Sequence, residues 1–473
     1  MKKYQAGEWE DPSPACSFSD GALTCIGWTS SVMGQSGGDI MRCSIIKIVS
    51  AGISMMLLFL LGLSSALAAD RYVNPASQTE GDGSREAPWR DLQRVVDRKL
   101  INSGDRVILA GGSYGRLHIK GLDFPERTIL EAAGDDQPVF EMIEILRSRN
   151  LVLKGLTVTS GGRARPEDRS HIRIDKHSRD IVISDSRIFT VEDASGWTAA
   201  DWDEKSMDGI LSEAEFTEAR NNLIRNVRFG IAVHGNNSVV IGNEVVNFAG
   251  DGLRGLGDYS LFEDNVVKNC YQVNSNHADG FQSWSVGPDG KPATGVIRGV
   301  TLRRNLILNY EDFHQPYVCK LQGIGLFGGV YEDWTIENNI VVVNNWHGIT
   351  AYGLRASRIV NNTVVEIDFS PPGPAAINII SDTDGIPEMK NMLINNIAPR
   401  YSIEGEGVES TGNLEVDDFD EVFVDMDKGD YRLPDDSDAI DAGVEVQNMT
   451  QDYFGNPRSV GKAMDAGAVE RQN

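Results

Sequence analysis

The chain has 473 residues, among them 49 glycines, with an aromatic share of only 8%. That length can bury a large core as one domain or two, and the abundant glycine with scarce helical periodicity favours an all-β repeat over a helical bundle. The formal net charge of −25 argues against a nucleic-acid binder, which would carry a basic stripe, and requires local Arg, Lys or His to hold any anionic substrate against the global field.

The N-terminal stretch reads as a targeting segment rather than as fold. Leu57 to Leu63 is apolar, preceded by Arg42 and Lys47 and followed by Ala66-Leu67-Ala68-Ala69. A basic lead, an apolar run and a small-residue site describe a signal peptide over residues 41–69, cleaved to leave a chain starting near Asp70. Translation from Met41 fits this pattern best, which makes residues 1–40 an upstream start-site artefact; the alternative is a cytoplasmic tail on a signal anchor. The expected location is secreted or periplasmic, without membrane attachment after cleavage, because no other segment is long enough to span a bilayer. Cys16, Cys25 and Cys43 fall in this leader. Cys270 and Cys319 remain, and secretion permits a disulfide, with two buried thiols as an equal alternative.

Residues 70–473 are read as one β-helix domain, with a cap over about 70–115 and a tail over about 400–473. Arg71-Tyr72-Val73 is a short strand. Trp89, Leu92, Val95, Val96 and Leu100 then recur at helical spacing. Arg106-Val107-Ile108-Leu109 is a second strand. An amphipathic helix there covers the first rung of a solenoid, whose open end would expose sheet edge and core. Thr128-Ile129-Leu130, Leu151-Val152-Leu153, Ile172-Arg173-Ile174 and Ile181-Val182-Ile183 are β-branched runs separated by turns.

From there two ladders organise the chain. Glycines at 209, 230, 252, 280, 323 and 348 each open a short apolar run, and their tight spacings of about 21 to 25 residues are a solenoid period. The widest gap, 280 to 323, is one rung with a long insert, or two rungs. Between them stand Asn222, Asn243, Asn265, Asn305, Asn339, Asn362 and Asn396, each before another apolar run; asparagine tolerates tight turns, and its amide can bond the rungs above and below. Inserts at 191–207 (with Trp197 and Trp202), 285–298, 310–321 and 369–374 interrupt the period. Loops added to one face of a solenoid commonly wall a binding site.

The run "RYVNPAS…GDGS…APW…LQ", followed by "GDRVILAGGSY", resembles the N-terminal cap of secreted right-handed parallel β-helix proteins, the pectate-lyase-like group that includes polysaccharide lyases and alginate C5-epimerases. "FGNPR…DAGAVE" resembles the ending many of them share. The resemblance covers nearly all of residues 70–473 and implies a right-handed parallel β-helix acting on polysaccharide. It does not fix one enzyme. The Asp-Pro-His motif of the epimerases, the Asp-Asp and Gly-His-Gly motifs of the polygalacturonases and the best-known calcium-dependent pectate lyase signatures are absent.

Strand alternation divides each glycine rung into inward and outward positions. The residues one and three places after the glycine are mostly apolar or small and should point in. The second place, pointing out, reads Arg173, Leu211, Ala232, Arg254, Gln282, Gly325, Thr350. The fourth reads Asp175, Glu213, His234, Leu256, Trp284, Phe327, Tyr352. Trp284, Phe327 and Tyr352 would stack on the outer face at about 4.8 Å per rung, an aromatic row suited to sugar rings. Three places before the glycine stand His277, Lys320 and Asn345; His277 and Lys320 would be neighbours on consecutive rungs, with Asp279 and Gln322 beside them.

These groups fit β-elimination on a uronate. Arg254, Gln282 and Lys320 would bind the carboxylate and stabilise the enolate-like intermediate, and His277 would take the C5 proton, oriented by Asp279. Tyr317 or Tyr271 would protonate the leaving oxygen. Gln322, His347, His234 and His314 join Trp284, Phe327 and Tyr352 as substrate-binding candidates. Asp251 and Asp279, on adjacent rungs, could instead hold Ca²⁺ or serve as the carboxylate pair of a glycoside hydrolase; otherwise no cofactor is expected. The reading is thus a monomeric lyase of acidic polysaccharide. Its alternatives are a C5-epimerase, a hydrolase using Asp251 and Asp279, and a glycan-binding β-helix without turnover.

Overall fold

The computed structural model describes residues 68–472 except 164–168, 369–370, 382–389, 406, 420–421 and 459. The proposed leader up to residue 67, with its three cysteines, and Phe369-Ser370 therefore lie outside the described residues. Ser65–Asn473 form one compact unit. No helix among the described residues is long and apolar enough to cross a membrane.

The coils wind through three parallel ladders. In one coil, Asp208–Ser212 lies on ladder A, Glu215–Arg220 on ladder B and Leu223–Val227 on ladder C, before Ile231–Val233 returns to A. Each strand pairs in parallel with its counterpart one coil on, as Ile210↔Ile231, Ala219↔Val240 and Ile224↔Val245 show. Ladder B has 13 strands, from Asp70–Val73 to Val408–Thr411. Ladders A and C fork from one long strand, Pro138–Leu146, which pairs with Thr157–Thr159 on C and Ser170–Ile174 on A. The fold is a right-handed parallel β-helix.

The glycine ladder is a consequence of how closely the coils stack. A Cβ on Gly230 would lie 2.3 Å from the carbonyl oxygen of Gly252, and one on Gly323 would lie 2.1 Å from that of Gly348. No side chain fits between backbones at that approach. Behind each glycine the inward positions fill the core: Ile231, Val233, Leu253, Phe281, Ile324 and Leu326 are all buried. The gap from 280 to 323 is a single rung, since Phe281 pairs directly with Ile324.

The asparagine ladder locks the corner between ladders B and C. Each coil turns there through a left-handed residue, among them Asn221, Asp264, Asn338 and Asn361. The asparagine that follows is buried and fully bonded. Asn243 donates from its backbone N and its Nδ2 to Asn265 Oδ1, at 3.0 Å each, and Nδ2 also reaches Ala219 O at 2.9 Å. Asn265 makes the same pair of bonds to Asn305, and the chain continues through Asn339, Asn362 and Asn396 to Asn413.

The cap helix α1 spans Leu92–Asp97, N-capped by Asp91, and buries Leu92, Val95 and Val96 with Trp89 in the core of the first coils. Leu100, placed by helical spacing on the same face, is 43% exposed. The helix stops at Asp97 and Lys99 takes a left-handed backbone, so the period ends before Leu100. The two strands flanking the helix, Asp70–Val73 and Arg106–Leu109, pair as the first members of ladder B. At the other end, Phe419, Phe423, Tyr431 and Leu433 of the tail pack on Ile340, Val342 and Val365 of ladder C. The motif residues Arg458 and Glu470 form a fully buried ion pair, and Arg458 also bonds Asn338 Oδ1 and the Gly467 carbonyl. Their role is structural.

Asn265→Ala removes the acceptor of Asn243 N and orphans that buried donor. The expected loss is about 2–3 kcal/mol of stability, read as a lower urea midpoint without loss of the β-sheet circular dichroism signal.

Candidate functional site

Ladder A presents the outward positions as the sequence orders them. Leu211 pairs with Ala232, Ala232 with Arg254, Arg254 with Gln282, Gln282 with Gly325, and Gly325 with Thr350. The inserts at 191–207, 271–278 and 310–321 all leave the chain where ladder C turns back to ladder A, so they border this face along one edge. Helix α2 (Ala199–Lys205) in the first of them buries Trp202, which stacks on Tyr271 at 4.6 Å. A disulfide between Cys270 and Cys319, with Cα atoms 5.4 Å apart, pins the third to the end of ladder C. Gln315 Nε2 adds a bond to the Cys270 carbonyl at 2.6 Å.

Three rungs of the face carry a pair formed by the residue before the glycine and the residue three places further on. On the first of these rungs, Asp251 is fully buried and accepts from Arg254 Nε. The Arg254 guanidinium lies 3.8 Å from the Phe229 ring centroid and 5.3 Å from that of Trp284. It is sandwiched between two aromatic rings with its positive charge balanced from below. The next rung repeats the pattern with neutral partners: Gln282 Nε2 donates to Asp279 Oδ2 at 3.0 Å. Two rungs further, His347 Nδ1 lies 2.9 Å from Thr350 Oγ1.

Asp251 and Asp279 touch through the backbone, Asp279 N donating to Asp251 Oδ1 at 3.1 Å. Burial pushes both carboxyls upward. Arg254 opposes that shift at Asp251. Asp279 is pushed much further, by burial and then by the Asp251 charge, with only the more distant pull of Arg254 against it. Its Oδ1 is sealed from solvent without a partner. Asp279 is therefore the carboxyl that takes the proton first, and Asp251 is the one that Arg254 pairs with.

This geometry corrects several expectations. Asp279 bonds Gln282 and does not orient His277, which stands exposed at the corner. Gln282 is buried and spends its amide on Asp279, so it is not offered to a substrate carboxylate. Asp251 and Asp279 do not form an open Ca²⁺ site: the arginine occupies one carboxylate and the other is sealed. Among the described residues no group of three or more His, Cys, Asp or Glu is placed to hold a metal ion. The same burial keeps the pair from reaching a glycosidic oxygen as a hydrolase would require. Tyr271 is half-buried, its ring stacked on Trp202.

Other candidates do share the face. Gln322 is the Cα partner of Asp279, and Gln322 N donates to the Ala278 carbonyl, so His277 and Lys320, two residues before that pair on each coil, enter ladder A on neighbouring coils. Both are exposed. Asn345 joins them to the next rung, donating to the Lys320 carbonyl at 3.0 Å and accepting from His347 N at 3.1 Å. The charge of His277 is felt at both Asp251 and His347. His234 is held near 4 by burial and by the Arg254 charge, so it is neutral at ordinary pH.

The aromatic row is present but broken differently from the expected stack. Phe327 lies 5.8 Å from Tyr352 and 5.1 Å from His347, whereas Trp284 faces Arg254. Tyr317 and His314 sit exposed on the 310–321 insert; the Tyr317 carbonyl accepts from Gln272 N, and the His314 ring lies against Phe313. Sequence reasoning missed Phe229 as a face of the arginine sandwich, although its place between Arg228 and the rung of Arg254 was a usable signal. It also missed Asn378, which no column count singled out, and gave Asn345 no role although it stands in the column of His277 and Lys320.

Residues 208–397 match the family described as right handed beta helix region. No curated protein matches the sequence. Among solved structures, the chain is similar to a pectate lyase at 15% identity and TM-score 0.45, covering 85% of this chain and 96% of the other. It is similar to a lacto-N-biosidase from Eubacterium ramulus at 12% identity and TM-score 0.45, covering 78% and 69%. An alginate lyase aligns at 16% identity and TM-score 0.35, covering 72% of this chain and 53% of that one. These likenesses are of fold alone.

If Asp279 is the protonated member of the pair, Asp279→Asn leaves stability at neutral pH unchanged or raises it. A raised carboxyl binds more protons folded than unfolded, so the native chain loses stability as pH rises from the unfolded value through the folded one; the variant should lack that slope. Asp251→Asn strips Arg254 of its counter-charge and should cost about 2 kcal/mol or more. Thermal unfolding across pH compares the two.

Proposed function

We propose that the chain is a carbohydrate-active β-helix that cleaves an acidic, uronate-containing polysaccharide by β-elimination on ladder A. The observation that carries this reading is the arrival of His277 and Lys320 at neighbouring coil corners, exposed, beside an arginine held between two aromatic rings. A sugar can lay its C–H face on Trp284, Phe327 or Tyr352 while its carboxylate meets a cation. Arg254 and Lys320 bind the carboxylate and stabilise charge as it moves onto it. His277 takes the C5 proton; the C–H electron pair becomes the C4–C5 double bond, and the bond to the O4 leaving group breaks. That oxygen takes a proton, for which the exposed Tyr317 hydroxyl is the candidate source. Asp251 and Asp279 serve as scaffold: one fixes Arg254, the other fixes Gln282.

The same intermediate reprotonated from the opposite face would make the chain a C5-epimerase. The reading also carries secretion or periplasmic export through the segment at 41–69, and action as a monomer.

The assay is ultraviolet absorbance of the unsaturated product on a panel of uronate polysaccharides, with and without EDTA. The expected result is a rise with the native chain. Lys320→Ala and His277→Ala should each lower kcat by about 100-fold or more, whereas Asp279→Asn should leave it within a few-fold. A flat trace with C5-proton exchange in heavy water would replace lyase by epimerase. Binding without either would make the chain a glycan binder, and loss with EDTA would require a metal that this reading does not include.

A further inference from the structure

The imidazole of His347 is set by a hydrogen-bond chain whose direction can be read without seeing a proton. Asn378 Nδ2 lies 2.9 Å from the Trp346 carbonyl oxygen. A carbonyl only accepts, so the atom facing it is the amide nitrogen and the amide cannot be flipped. That same nitrogen lies 2.8 Å from Thr350 Oγ1 and spends its second hydrogen there. Thr350 Oγ1 thereby accepts from Asn378, and because the threonine is fully buried with His347 Nδ1, at 2.9 Å, as its hydroxyl's only other partner among the described residues, its own hydrogen is satisfied only by donating there. Nδ1 is then the bare nitrogen and the ring proton sits on Nε2.

His171 shows the opposite case in the same ladder. Its Nδ1 faces the Asp208 carbonyl oxygen at 2.9 Å, so Nδ1 carries the proton and Nε2 is left bare and sealed. At His347 the Nε2 atom is not sealed from solvent and takes no partner among the described residues. Thr350 and Asn378 are buried, so the chain behind the ring is dry and rigid. Burial, with His277 nearby, pushes the imidazole down to about 4, which keeps it neutral. A neutral ring with its proton on the open nitrogen donates and cannot act as a base at that atom.

We propose that His347 is a fixed Nε2–H donor to the substrate's carboxylate or enolate oxygen, with Thr350 and Asn378 as the positioning residues that hold its tautomer. The tautomer stands on the geometry alone; the choice of acceptor rests on the lyase reading above. On that reading the donor complements Lys320, to which Asn345 ties it, by stabilising negative charge without adding another cation beside His277.

The experiment is nitrogen-15 NMR of histidine-labelled protein, paired with turnover and oligouronate binding. In the native chain His347 should show a protonated Nε2 and a bare Nδ1, unchanged across neutral pH. Thr350→Val, close in size, should abolish the single-tautomer signature and lower kcat about 10-fold or more, with KM moved less; Thr350→Ser should restore both. His347→Gln, whose amide can still donate, should retain more activity than His347→Phe. A native Nδ1–H tautomer would overturn the inference, and so would the predicted tautomer with turnover indifferent to all four variants. If no uronate is bound or turned over, the donor role falls with the lyase reading, while the NMR result still decides the tautomer.

Discussion

The constraint on which everything else depends is the close stacking of one coil on the next. Backbones approach so nearly at the start of six consecutive ladder A strands that only glycine fits, and at the corner between ladders B and C a buried asparagine amide bonds the asparagine of the next coil. Together these fix the register of every rung. A one-residue slip in a parallel strand would turn its apolar residues outward and its site residues into the core. Register is thus both the condition of stability and the device that brings residues 251, 279, 322 and 347, far apart in sequence, into one column.

The electrostatics of the face follow from that column. A carboxylate buried on each of two adjacent rungs would repel its neighbour, and the molecule resolves this unequally. At Asp251 the upward push of burial is opposed by Arg254, which lies on it; Asp279 has Gln282 instead and is pushed further toward its proton. The net result is an arginine stiffened from below and flanked by Phe229 and Trp284, in a chain whose overall charge is −25. An anionic sugar repelled by the whole would find its attraction here, with Lys320 and the neutral His347 along the same edge. The inserts that carry Trp202 and the Cys270–Cys319 disulfide stiffen that edge.

Much of the fold was legible because glycine and asparagine recur at a period that only a solenoid explains. Counting from Gly280 and Gly323 paired Gln282 with Gly325 as the structure does. What the count could not give was side-chain direction within a column. An outward position reads as exposed, yet Gln282 folds back three residues onto Asp279 and is buried. Asp279 followed by glycine reads as a turn or a ligand, whereas the upward push on its carboxyl comes from burial and from Asp251 one coil below. The Thr350–Asn378 chain was invisible for a related reason: it joins consecutive rungs through an amide whose partner, the Trp346 carbonyl, has no signature in sequence. The insert residues His314 and Tyr317 lie where loop path, not period, decides position.

The central claim is that acidic sugar lies on ladder A, across the Arg254 sandwich. The most direct measurement is a crystal structure of the chain carrying Lys320→Ala, with a bound oligouronate. The account predicts a sugar ring against Trp284 or Phe327, its carboxylate at Arg254 and an oxygen within hydrogen-bond distance of His347 Nε2. An oligouronate bound on another face, with ladder A bare, would contradict it.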